Sequence, residues 1–176
     1  MKVLRVVLAV VVALIVTTTA ALVAAARAKQ QIEPTEDQAA NEMTAVGILG
    51  PMYFRSTAEA LRRAAIECWF GGGAVDLRDA ELDPAGARLD VRAIFGGGQI
   101  VVPVTWRVEL HVNGIGGVGD GRPKLDRPAD APLLTIDGFV LFGGFVVTSE
   151  LSDADAERLE SAVRSRAEPV GEGSPA

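Results

Sequence analysis

The chain carries one cysteine and one histidine in 176 residues. A lone cysteine excludes an internal disulfide, and the two residues together supply too few soft ligands for an ordinary zinc site. Aromatics make up only 5% of the sequence, so Val, Ala, Leu and Ile must fill the core. No acid occurs before Glu33, and beyond Lys29 13 basic residues face 23 acidic ones. A domain of that sign repels phosphate backbones, which argues against nucleic acid as a partner. The sequence also lacks a Gly-x-Ser-x-Gly elbow, a phosphate loop, a metal-binding helix motif and an EF-hand loop. No catalytic residue, metal or cofactor is therefore expected, and the predicted class is non-enzymatic.

What is present begins with an apolar run. Val6 to Ala26 contains no charge, which meets the roughly 20 residues a helix needs to cross a bilayer core. Ala24-Ala25-Ala26 or Ala26-Arg27-Ala28 could serve as the cleavage site of a signal peptide. Signal cores usually run about 7–15 residues, so the length favours an uncleaved anchor over residues 1–29. Lys2, Arg5, Arg27 and Lys29 are divided evenly between its ends. The terminal ammonium tips the balance toward an extracytoplasmic C-terminal part. Residues 30–43 are polar and acidic, and read as a linker.

From residue 44 to about 150 one device recurs, an apolar residue followed by Gly-Gly or Gly-Pro. Its anchors are Leu49, Phe70, Phe95, Ile115 and Phe142, spaced 21, 25, 20 and 27 residues apart. Period-two alternation precedes the anchors. Ile66, Cys68 and Phe70 alternate with Glu67 and Trp69; Leu89, Val91, Ala93 and Phe95 alternate with Asp90, Arg92 and Ile94. This pattern predicts strands with one face in the core and places Phe95 inward. A second short strand follows most corners. Repeats of this period predict a stack of about five coils, with Gly71, Gly72, Gly96, Gly97, Gly116, Gly117, Gly143 and Gly144 as corner glycines. Residues 119–132, with three prolines, read as a protruding loop. Thr57–Ala65 has helical propensity and predicts a helical turn beside a corner. A C-terminal helix is expected from Asp153 to about Arg166 within residues 151–168. Ser152 would be its N-cap, Ala156, Leu159 and Val163 a thin apolar stripe against the last coil, and Pro169 its stop. Residues 169–176 read as a disordered tail.

The strings from Phe70 to Ala80 (Phe-Gly-Gly-Gly-Ala-Val-Asp-Leu-Arg-Asp-Ala) and from Ala93 to Glu109 (Ala-Ile-Phe-Gly-Gly-Gly-Gln-Ile-Val-Val-Pro-Val-Thr-Trp-Arg-Val-Glu), with Phe142-Gly-Gly-Phe145, resemble the C-terminal domain of LiaF-like proteins, the cell-wall-active antibiotic response family. The resemblance covers about Ala45 to Ser149. It implies an all-β, right-handed β-solenoid without catalytic activity, acting at the membrane in envelope-stress signalling, with a sensor kinase as a partner class. The chain has one apolar span where the family has several.

His111 alternates to the solvent side beside Glu109 and Asn113, and reads as a surface histidine. Cys68 reads as a small core residue. Asp76, Arg78 and Arg92 are expected to form an outward charge ladder, and Trp69 and Ile94 an outer apolar ridge with Ile48 and Leu141. Of these, Trp69, Ile94, Asp76, Arg78 and Arg92 are the candidate interaction surface. Two functions follow as expectations: a membrane-anchored regulator or sensor working by protein contact, or a scaffold that self-associates end to end through exposed coil edges.

Overall fold

In the computed structural model, which describes residues 2–167, the alternating segments become strands and the two helical segments become helices. The order is α1 (Lys2–Gln31), β1 (Glu42–Ile48), β2 (Pro51–Arg55), β3 (Arg63–Trp69), β4 (Gly72–Asp76), β5 (Ala87–Val101), β6 (Arg107–Gly114), β7 (Gly117–Asp120), β8 (Leu133–Thr148) and α2 (Asp153–Ala167). The expected tail 169–176 and the Pro169 stop lie outside the described residues.

The β-solenoid does not form. The eight strands make one parallel sheet that is neither closed nor curled, and the two helices contribute about 25% of the chain, so it is not all-β. Closure would need a third ladder between the corners. Among the described residues, the connecting segments supply one isolated parallel bridge there, Leu61 to Leu82. Nor do the units stack in chain order. Before the corners the order is β1-β3-β5-β8-β6, and after them β2-β4-β5-β8-β7. The last strand therefore enters between the third and fourth units. β5 and β8 are the two strands that run unbroken through their corners, and they pair along their whole length. Segment 121–132 carries the chain back one layer, which is the physical reason for the long final spacing.

Buried core residues come from the inward rows of every unit except β6–β7, whose Val108, Leu110, Val112 and Val118 are only partly buried. Ile66, Leu89 and Ile136 lie before the corner; Phe54, Val75, Ile100 and Val147 lie after it. Burial of these side chains is the main stabilising term, at about 1.5–3 kcal/mol each. The predicted helical turn at 57–65 is absent. Residues 57–62 are instead tied down by tertiary bonds from Thr57 N–H to the Gln38 carbonyl and from Leu61 N–H to the Glu81 carbonyl (2.7 and 2.8 Å). Burial of Ala58 and Leu61 overrides local propensity there.

α2 starts at its Ser152 cap, whose Oγ accepts the Asp155 N–H at 3.2 Å. It does not rest on the last unit. It packs on β2 and β4, with Leu159 fully buried. Tyr53 of β2 donates to Asp155 Oδ1 (3.1 Å), and Arg166 Nη1 donates to the Tyr53 carbonyl (3.1 Å). The helix thus covers the outer edge at β2. The neighbouring edge at β1 is covered by the linker, where Thr35 N–H donates to the Thr44 carbonyl and Thr35 Oγ1 accepts from Thr44 N–H.

Candidate interaction surface

The corners set the chemistry of the surface. Leu49, Phe70, Phe95 and Phe142 adopt φ of 54, 53, 50 and 54°. This is the left-handed region, which costs an L-residue with a Cβ about 1–2 kcal/mol. At four of the five corners the strain therefore sits on the large apolar residue before the glycine; at the Ile115 corner the positive φ falls on Gly114 (132°) instead. It also corrects the inward placement of Phe95. Alternation holds through Ile94, then the left-handed residue breaks the period and throws its side chain outward. Phe95 is 52% exposed, Phe142 46% and Leu49 41%. No period-two reading can detect this reversal, because φ is not a pattern of polarity.

The outward rings form a ladder. Phe70 stacks on Phe95 with centroids 5.3 Å apart, and Phe95 on Phe142 at 4.9 Å. Each stack contributes about 0.5–1.5 kcal/mol. Two stacks, about 1–3 kcal/mol together, do not offset the about 4–8 kcal/mol that four strained corners cost, and glycine would turn the same corners without strain. An apolar, half-exposed row maintained at that cost is a candidate contact surface. Its neighbour is α1. A cavity of about 650 Å³ between them is lined by Val10, Leu14, Thr17, Thr18, Phe70 and Phe95 among others. Ile115, 72% exposed, lies beyond Phe142 at the β6–β7 corner.

The corner glycines answer a different need, the close approach of neighbouring backbones. A Cβ on Gly71, Gly97, Gly116 or Gly143 would fall on the carbonyl oxygen of Gly47, Gly144, Gly143 or Gly96 respectively. Gly72 and Gly96 face similar contacts at 2.6 Å, from the Gly97 oxygen and the Cys68 Sγ. Gly144 has its nearest neighbour at 3.0 Å, and Gly117 has open space.

The other candidate residues are not brought to one place. Trp69 and Ile94 do share a register row with Ile48 and Leu141. Ile48 is buried at 2%, while Trp69, Ile94 and Leu141 are half-buried. Asp76 and Arg78 are partners, but Arg92 is not on their row. It lies before the corner, on Glu67 at 2.9 Å. Asp76 is not an outward charge either. Its side chain is 1% exposed and accepts both Arg78 Nε and Nη2 at 2.9 Å, with Arg55 at 3.4 Å. The same Asp-x-Arg clamp recurs at Asp120 and Arg122, also at 2.9 Å. Arg122 further donates to the Trp106 carbonyl (2.9 Å), and Arg127 to the Val104 carbonyl (2.7 Å). The loop expected to protrude is therefore pinned to segment 103–107.

Burial alone would raise the Asp76 carboxyl, but the hydrogen bonds and charge of Arg78, with the charge of Arg55, more than offset it and hold the group below the usual carboxylate range. A depressed carboxylate adds stability that is fully present above about pH 3.9 and lost as pH falls through its folded-state value. Asp76→Asn is therefore expected to cost about 2 kcal/mol at pH 7 and far less near pH 2. Urea titrations at the two pH values check this; equal losses at both would contradict it.

Cys68 is fully buried, its S–H donates to the Gly71 carbonyl (3.2 Å), and burial pushes its thiol up. Such a thiol is a poor nucleophile. His111 is exposed, with Nδ1 3.7 Å from Asp137 Oδ1. Among the described residues no group of three or more His, Cys, Asp or Glu is placed to hold a metal. No family model, curated protein or solved structure matches the chain.

Proposed function

We propose that the chain is a non-enzymatic, membrane-anchored protein of the cell envelope that regulates or senses envelope stress through protein contact. The supporting observation is the strained, half-exposed aromatic ladder of Phe70, Phe95 and Phe142. α1 is long and apolar enough to cross a membrane, with mean hydropathy 2.8 over its most apolar window. An apolar ladder on a chain that carries such a span supports contact with another membrane protein, and a sensor kinase is the partner class the Phe-Gly-Gly resemblance supplies. The extracytoplasmic placement of the sheet rests on the terminal charges described above.

The test separates contact from stability. Phe95→Gly with Phe142→Gly relieves two strained corners and removes two stacks, so folding stability should stay within about 1–2 kcal/mol of the parent. An envelope-stress reporter challenged with cell-wall antibiotics should nevertheless respond as it does in the deletion strain. A reporter indifferent to both the deletion and the double variant would contradict the proposal.

A further inference from the structure

The two ends of the sheet are unlike. α2 and the linker cover β2 and β1, whereas among the described residues β6 has a strand neighbour, β8, on one side only. None of the hydrogen bonds made by the pinned loop reaches residues 108–114. β6 is long for a free edge, eight residues with no Pro and no Lys, and its only charged residues, Arg107 and Glu109, pair with each other at 3.2 Å. The core also stops short here. Val108, Leu110 and Val112 are only partly buried, while Leu134, Ile136 and Val140 on the adjoining strand are fully buried.

From these observations we infer that β6 pairs antiparallel with β6 of a second copy, about a two-fold axis through Leu110. The strand is self-complementary. Read about Leu110, Arg107-Val-Glu-Leu-His-Val-Asn113 sets Leu110 opposite Leu110 of the other copy and Val108 opposite Val112. Glu109 then falls opposite His111, twice by symmetry. Directly opposed residues of antiparallel strands point to the same face. The apolar row therefore continues from one copy's core into the other's, and the polar row meets in unlike pairs. Neighbouring registers fail. A one-residue slip sets Val108 against Asn113 and crosses the faces, and a two-residue slip sets Glu109 against Glu109 or His111 against His111. Within each copy Glu109 is held by Arg107 at 3.2 Å, and His111 lies beside Asp137, which Arg88 also pairs at 3.4 Å. The junction thus carries both signs. Because the opposite end is capped, association stops at two copies and does not propagate into rods.

The inference does not depend on the regulatory reading, since its readout is covalent and needs no signalling partner. The experiment uses the full chain in liposomes with single cysteines, Cys68 being buried. Under mild oxidation Leu110→Cys should cross-link copies at least tenfold faster than Val108→Cys, which the two-fold axis holds about four residues from its twin. Val108→Cys with Val112→Cys should cross-link again. A charge test is independent of cysteine chemistry. Glu109→His alone should shift the chain to monomer, and Glu109→His with His111→Glu should restore the dimer. Equal cross-linking of Leu110→Cys and Val108→Cys, or failure of the swapped pair to recover association, would overturn the proposal.

Discussion

Gly97→Val is expected to cost the domain about 3 kcal/mol or more and to leave much of it unfolded at 37 °C. The new Cβ would fall on the Gly144 carbonyl oxygen, which belongs to the ladder between β5 and β8. Backbone cannot rotate away as a side chain can, so the two longest strands would have to separate at their shared corner. Thermal unfolding monitored by circular dichroism measures the loss. A Val variant with the parental midpoint would show that neighbouring corners are not in contact. Gly117→Val is the matched control, since nothing lies near its Cβ position, and it should change stability by less than about 1 kcal/mol.

The second large effect concerns strand order. Ile136 is fully buried in β8, in register with Leu89 on one side and Leu110 on the other. Ile136→Ala should cost about 3–4 kcal/mol through lost transfer energy and an unfilled cavity. Leu110→Ala, on the partly buried edge strand, should cost about 1–2 kcal/mol in monomeric protein, because its site is already open on one side. Were the strands stacked in chain order, Leu110 would be interior and the ranking would reverse. Denaturation midpoints of the two variants decide the matter.

These effects show where the sequence was informative. Period-two alternation located the strands because each residue's polarity reports its face, and Ile66, Leu89 and Val91 are buried as that pattern requires. The span at α1 and the Ser152 cap were legible for similar local reasons. Three things were not. Backbone φ leaves no polarity signal, so alternation alone puts Phe95 on the wrong side. Strand order depends on which strands pair best over their whole length, and equal corner motifs cannot express that. Docking of α2 was hidden because Leu159 alone carries much of it, and one buried leucine does not reveal which strand it meets. Asp76 illustrates a fourth limit. Alternation correctly took it out of the apolar row but could not show that Arg55 and Arg78 bury it.

The open β6 edge, the Phe95–Phe142 stack and the corner contact at Gly97 all depend on β8 lying between β5 and β6. Pairwise cysteines on the outward row test that placement directly. Positions Arg92 and Phe139, and positions Phe139 and Asn113, are register neighbours, about 4.8 Å apart and within disulfide reach. Arg92 and Asn113 are two strands apart, about 9.6 Å, and beyond it. Arg92→Cys with Phe139→Cys and Phe139→Cys with Asn113→Cys should each close within one chain, and Arg92→Cys with Asn113→Cys should not. A bridge between positions 92 and 113, with none to 139, would contradict that placement.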